Sequence, residues 1–249
     1  MSNEEDTESK VPKGAVVAAT TSALIGVVAT HYPVLAIPAA VAKDFADPMV
    51  ERMLSRIGAL RQQRAQAAIS EAASEAGVSV SRLTSTIEES PELLTLMAQV
   101  VQAAAETPLE EKIVALGRSL GRGVRDQAAV DAEFVKVRGV TAIETFEVKL
   151  MEIIGSGDPR RVTEETAEGE RRDNLSGWKR EDIVAHHSEF ATVLDALISR
   201  LTAQGMVRDL SYQTFGGGGE RWALTPFGEE CLSLLTAVPA PDPTPPTSE

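Results

Sequence analysis

The chain has 249 residues and a formal net charge of −13, from 24 Lys and Arg against 37 Asp and Glu. Apolar residues make up 43% of it and aromatic residues only 4%. This composition excludes wholesale disorder and favours helix-on-helix packing over a β-sandwich. The single cysteine, Cys231, excludes an intrachain disulfide framework and a cysteine-rich zinc site.

Both ends of the chain and one internal stretch are polar. Residues 1–13 form an acidic tail without the basic start of a secretory signal, and residues 237–249 are rich in proline. Neither end can bury enough apolar surface to offset chain entropy, so both are predicted to be disordered. Residues 155–177 mix acids, arginines and glycines, and are predicted to form a polar linker.

An apolar segment spans residues 14–46, and the 29 residues from 14 to 42 carry no charge. They are long enough to cross a bilayer, but Pro33 and Pro38 interrupt any single helix. Three interpretations stay open: a helix buried in the protein's own core or a dimer interface, a membrane-associated segment, and an irregular exposed segment. The candidate residues for self-association or membrane contact are Val16, Val17, Leu24, Ile25, Val27, Val28, Val34, Leu35 and Ile37.

Basic residues follow this segment. From Lys43 to Arg64 there are five basic and three acidic residues. A Lys/Arg excess marks the cytoplasmic side of a membrane span, so the bulk of the protein would lie in the cytoplasm if residues 14–42 crossed a bilayer. The alternative is that the arginines form a solvated helix face. We therefore predict a cytoplasmic protein, with membrane association as an alternative.

Residues 47–154 are predicted to form a helical bundle. Asp47-Pro48 is typical of an N-cap followed by proline at the first helical position, and predicts a long helix from Pro48 to about Ala76 that Gly77 ends. Ser90-Pro91 opens another predicted helix. Short breaks between the helices predict antiparallel neighbours.

Two more helices complete the predicted bundle. The sequence Thr107-Pro108-Leu109-Glu110 predicts a capping box, in which Thr107 accepts from the Glu110 amide and Glu110 reaches back to the Thr107 amide. Apolar spacing predicts a last helix over about 128–154.

The string GRSLGRG, which contains Gly117, Gly121 and Gly123, resembles a nucleotide-binding loop only superficially. It lacks the phosphate-loop Lys-Ser/Thr and does not follow a strand, so we reject nucleotide binding there. Gly117 and Gly121 are predicted instead to permit close approach of two helices.

The pattern changes in residues 178–236, which predict helix, helix, β-hairpin and helix. The sequence ISRLTAQGMVRDL, followed by ERWALTPFGEECLSLL, resembles the winged-helix core of MarR-type regulators. This resemblance implies a winged-helix module, which can bind DNA or serve as a protein-binding adaptor. We expect a fragment of about 176–238 to fold alone. Its predicted core is Leu194, Leu197, Ile198, Leu201, Val207, Trp222, Leu224 and Leu232.

Local charge argues against DNA binding by this module. Between Lys179 and Leu235 there are five basic and eight acidic residues, whereas affinity for DNA depends mainly on neutralising phosphates. The second helix carries Glu189 and Asp195 near its start, where a recognition helix contacts base edges. If the module does bind DNA, the candidate residues are Lys179, Arg180, Ser188, Thr192, Arg200, Arg208 and Arg221.

No residue pattern predicts a catalytic, metal or cofactor site. His186 and His187 are adjacent, so on a helix their side chains diverge by about 100° and do not easily share one metal ion. Cys231 is predicted to be a small buried residue. We therefore predict a protein that is not an enzyme and needs no cofactor.

The whole chain, with its uncharged stretch, helical bundle and terminal winged helix, is similar in layout to the bacterial abortive-infection alpha-type proteins. That resemblance implies a role in phage defence or stress response and transfers no catalytic residue. We predict a mainly α protein that acts through a protein partner or as a homo-oligomer. The alternatives are a winged-helix transcriptional regulator and a membrane-associated effector that inserts residues 14–42.

Overall fold

The computed structural model describes residues 48–157, 177–211 and 220–236. They are mainly helical, with one two-stranded antiparallel sheet, as predicted. The predictions for both tails, for residues 14–46 with all nine candidate residues, and for most of the linker lie outside the described residues. The chain divides into two compact units after Phe134.

Four helices and one short turn of 3-10 helix build most of the first unit. Helices α1, α3 and α4 pack on one another, and α2 packs against α1 and α3. The elements are α1 (Pro48–Ala76), α2 (Val80–Glu88), α3 (Pro91–Glu106), α4 (Glu110–Arg125) and the 3-10 turn (Gln127–Ala129).

The ends of these helices test the sequence predictions directly. Helix α1 has the predicted bounds, and Gly77 follows it with φ of +69°, a conformation that favours glycine. Ser90 caps α3 by accepting from the Leu93 amide at 3.3 Å. The predicted capping box at Thr107 is wrong, because the Thr107 hydroxyl instead accepts from the Leu109 amide at 3.3 Å. Helix α2, capped by Ser79, was not predicted.

Glycines set the distance between α1 and α4. A Cβ atom on Gly117 would stand 2.5 Å from the Ala68 carbonyl oxygen, and one on Gly121 would stand 2.6 Å from that of Ala72. The prediction that these glycines permit close helix approach is confirmed.

Ion pairs line the same contact. Arg118 Nε donates to Glu71 Oε1 at 2.8 Å, and Arg122 Nε to Glu75 Oε1 at 3.4 Å. The Arg118 side chain is only 7% exposed. Because both pairs repeat at four-residue intervals, they lie side by side along the two helices.

The second unit contains the remaining helices and the sheet. Helix α6 packs against β2, α8 and α9. The elements, starting with the helix that contains the division between units, are α5 (Val130–Ala142), α6 (Thr145–Gly155), α7 (Arg180–His186), a 3-10 turn (Ser188–Phe190), α8 (Leu194–Ala203), β1 (Val207–Asp209), β2 (Trp222–Leu224) and α9 (Pro226–Thr236).

The single helix predicted over 128–154 is wrong, because the chain breaks at Ile143 and Glu144. The Glu144 amide donates to Glu147 Oε2 at 3.1 Å, so the side chain of the new first turn satisfies a donor at the break. The Ile143 side chain is fully buried. The break therefore separates α5 from α6 while the Ile143 side chain stays in the core.

The sheet and the last helix meet at Thr225. Strands β1 and β2 pair with Val207 opposite Leu224 and Asp209 opposite Trp222. The Thr225 hydroxyl accepts from the Gly228 amide at 3.0 Å and so begins α9, while it donates to the Gly205 carbonyl at 2.6 Å. One threonine thus joins the end of α8, the hairpin and α9.

Most of the predicted core of this unit is confirmed. Trp222 and Leu232 are the exceptions, because both are half-buried. The predicted core residues that are buried are Leu194, Leu197, Ile198, Leu201, Val207 and Leu224.

Helix α6 supplies the other side of this core. A Cβ on Gly155 would lie 2.9 Å from Leu224 and 3.2 Å from Leu232. The sequence predicts residues 145–154 as part of the helical bundle, whereas in the structure they pack on the hairpin and α9.

Over the three described stretches of the chain, no helix combines the length and the apolar character needed to cross a membrane.

Candidate interaction surface

An aromatic cluster surrounds Phe190 in the second unit. Phe190 is fully buried at the end of the 3-10 turn between α7 and α8. Phe146 of α6 meets it edge to face with 5.8 Å between ring centroids, and His187 lies 6.3 Å away. Phe146 is nevertheless 51% exposed. One aromatic ring is thus held against the core while half of its surface faces outward.

Charges of both signs border this ring. Lys149 lies one helical turn after Phe146, and its Nζ donates to Glu189 Oε1 at 2.6 Å. The same Nζ lies 5.8 Å from the centre of the Phe190 ring. The hydrogen bond from Lys149 is the main cause that lowers the pKa of Glu189 below its ordinary value. The surface therefore presents an ammonium and a carboxylate beside an exposed aromatic face.

Two of the predicted DNA-contacting arginines pair with carboxylates. Arg180 donates from Nε and from a terminal nitrogen to the two oxygens of Asp195, at 2.8 and 3.1 Å. This bidentate contact raises the pKa of Arg180 and lowers that of Asp195. Arg200 lies 2.9 Å from Glu147 Oε1 and also donates to the Ala142 carbonyl. Both guanidinium groups are turned towards the protein's own acceptors.

The other predicted DNA-contacting residues are dispersed. Lys179 immediately precedes α7, Ser188 and Thr192 are exposed on either side of Phe190, and Arg208 is exposed on β1. The Arg221 amide donates to Asp209 Oδ1 at 3.2 Å, across the hairpin.

The two adjacent histidines contact different residues, as their divergence predicted. His186 meets Trp178 edge to face at 6.0 Å, and its Nδ1 lies 2.8 Å from the Asp182 carbonyl oxygen. His187 faces Phe190 instead. Cys231 is fully buried, in agreement with its predicted role. Among the described residues no group of three or more histidine, cysteine or acidic side chains is placed to hold a metal ion.

The sequence does not single out Phe146 and Lys149 as surface residues, because both fall within a predicted helix of the bundle. Phe146 lies four residues before Leu150 and eight before Ile154, a spacing that places all three on one face of a helix and predicts a buried ring. The exposure of this ring therefore depends on tertiary packing, and the apolar spacing of the helix does not predict it.

Comparison of the chain with protein-family models, with curated proteins and with solved structures gives no significant match. The resemblances to MarR-type regulators and to abortive-infection alpha-type proteins remain predictions.

Proposed function

We propose that this protein is a non-enzymatic interaction protein, whose C-terminal unit is a winged helix used for protein binding rather than for reading DNA. The single observation that carries the proposal is the exposed Phe146 ring, seated on Phe190 and bordered by Lys149 and Glu189. Large aromatic residues in such settings are typical anchors of protein interfaces.

The occupant that best fits this surface is a second copy of the chain. A two-fold interface uses the same patch on both subunits, so the patch must be complementary to itself. An aromatic centre bordered by one cation and one anion meets that requirement. The Lys149 of one subunit can face the partner's Glu189, and the two Phe146 rings can stack at the axis.

Charge also supports protein binding over DNA binding. Asp195, in the first turn of α8, holds Arg180 through two hydrogen bonds. Glu189 lies in the 3-10 turn that precedes α8, so it would approach DNA together with the start of that helix if α8 were a recognition helix. A DNA-binding surface here would have to break the Arg180–Asp195 contact and leave a carboxylate facing the phosphates.

The test is the molar mass of the full chain, measured by light scattering over a range of concentrations. We expect a concentration-dependent dimer that Phe146→Glu converts to monomer. Leu94→Glu is the matched control, because Leu94 is an exposed apolar residue of α3 in the first unit. A wild-type monomer at all concentrations, or an equal effect of both substitutions, would contradict self-association through Phe146.

A second measurement addresses DNA. We expect fluorescence anisotropy with mixed genomic duplexes to show weak or no binding by the full chain at physiological salt. Tight binding with a steep salt dependence that Arg221→Ala abolishes would favour the transcriptional regulator instead. The layout resemblance to abortive-infection proteins connects the proposed interaction function to phage defence or stress response.

A further inference from the structure

The first half of α1 carries an apolar stripe that faces outward. Its four residues, Met49, Met53, Ile57 and Leu60, are 69%, 57%, 41% and 43% exposed. Their spacings of four, four and three residues place them on one face of the helix. The stripe, defined by these residues, is about 17 Å long at about 1.5 Å per residue. A stripe of this size is typical of a surface that binds another segment.

The stripe does not continue the face through which α1 packs on its neighbours. In the second half of the helix the buried residues include Ala65, Ala68 and Ala72. At about 100° per residue, the centre of that buried face is rotated by roughly 100° or more from Met53. The helices that bury the second half of α1 therefore leave the stripe uncovered.

Arginines border the stripe on both sides. On the helical wheel Arg56 lies on one border and Arg61 on the other, whereas Glu51 lies on the opposite face. A second copy packed stripe to stripe would place Arg56 against Arg61 in a parallel pair, and like against like in an antiparallel pair. Such like-charge contacts oppose self-association. An occupant without positive charge suits the stripe better.

One segment of this chain has that character and is already tethered nearby. Residues 14–42 carry no charged side chain, and only residues 43–47 separate them from the start of α1. Five residues span at most about 17 Å, so the tether permits reversal of the chain over the stripe. A short tether gives an effective concentration in the range of about 1 mM or more. The acidic side chains of residues 4–8 would then also approach the arginines of α1.

We propose that residues 14–42 fold back and cover the stripe of α1. A single intramolecular contact then removes two apolar surfaces from water, and neither a membrane nor a second chain is needed. This inference does not depend on the proposed self-association, which uses a surface of the other unit.

The test is the rate of thiol alkylation at Met53→Cys, compared between the full-length chain and a chain without residues 14–42. We expect about tenfold slower alkylation in the full-length chain, which corresponds to about 1.4 kcal/mol in favour of the covered state. Ser55→Cys is the matched control, since Ser55 is exposed on the other side of the same helix. Its rate should not change on deletion. Cys231 is fully buried, so its slow alkylation verifies that the second unit is folded.

A second variant guards against misfolding of the deleted chain. Ile25→Asp in the full-length chain should also raise the rate at Met53→Cys, and should leave Ser55→Cys unchanged. Equal rates at Met53→Cys in all forms would overturn the proposal. Protection that grows with protein concentration would assign the stripe to a second copy. Protection that requires vesicles of phosphatidylcholine and phosphatidylserine would assign it to a membrane surface.

Discussion

Gly117 of α4 lies so close to Ala68 of α1 that a Cβ atom on the glycine would stand 2.5 Å from the alanine carbonyl oxygen. The same Cβ would lie 2.8 Å from the Glu71 Cβ, so both backbone and side chain occupy the space. Glu71 in turn accepts the hydrogen bond from Arg118, the residue after the glycine. Backbone contact and ion pair thus depend on the same helix separation.

Gly117→Ala is expected to destabilise the first unit by about 1–3 kcal/mol, the usual cost of overpacking a well-packed contact. Gly58→Ala is the matched control, because Gly58 is a helical glycine of α1 with open space around its Cβ position. It should stabilise the chain by about 0.5–1 kcal/mol. Denaturant unfolding followed by far-UV circular dichroism measures both effects. A stabilising Gly117→Ala would show that α1 and α4 are not in close contact.

Local signals made most of the first unit predictable. Helix α1 ends at a glycine, α3 begins at a Ser-Pro pair, and the four-residue spacing of Gly117 and Gly121 indicates a helix contact without help from distant residues. The break at Glu144 was not predictable in the same way, because glutamate is not a favoured N-cap residue and the apolar spacing continues through it.

The candidate surface was harder to predict than the helices. Asp195 and Glu189 lie close in sequence to the other candidate contact residues. The residues that pair with Arg200 and Glu189, however, lie on α6, about 40–50 positions earlier in the chain. Such pairings depend on tertiary packing, which a single sequence does not contain.

Leu201→Ala is expected to destabilise the second unit by about 2–5 kcal/mol, because Leu201 is fully buried in α8. Both tryptophans of the chain, Trp178 and Trp222, belong to this unit, so their fluorescence during denaturant unfolding reports on it selectively. The neighbouring exposed Thr202→Ala should change stability by less than about 0.5 kcal/mol. Equal effects of the two substitutions would show that Leu201 does not contribute to the core as its burial indicates.

A fragment that begins at residue 130 is expected to be more stable than one that begins at residue 176. The shorter fragment lacks α6, which covers Leu224 and Leu232 through Gly155 and supplies the buried Glu147 that lies 2.9 Å from Arg200. We expect cooperative tryptophan-detected unfolding of 130–238 and a lower unfolding midpoint, or none, for 176–238. Equal midpoints would place the boundary of the folded unit at the linker instead.

Asp209 ties the two strands of the hairpin together at the end of β1. Its carboxylate accepts from the Ser211 hydroxyl at 2.6 Å, from the Ser211 amide at 2.8 Å and from the Arg221 amide at 3.2 Å. Burial by itself would raise the pKa of Asp209, but these three hydrogen bonds outweigh it and hold the pKa below its ordinary value. The charged form is therefore the one that the folded hairpin stabilises.

Asp209→Asn is expected to destabilise the second unit at neutral pH, and the difference from wild type should shrink in acid. Because the folded pKa lies below the unfolded one, the contribution of Asp209 is fully present above about pH 4 and disappears as the pH falls through the folded pKa. The asparagine keeps one acceptor oxygen but carries no charge at any pH, so only the wild type loses this contribution. Tryptophan-detected unfolding between neutral pH and about pH 3 measures the difference, with Glu229→Gln as an exposed control whose effect should stay within about 0.5 kcal/mol. A difference between wild type and Asp209→Asn that stays constant over this range would show that the hydrogen bonds to Asp209 do not favour its charged form.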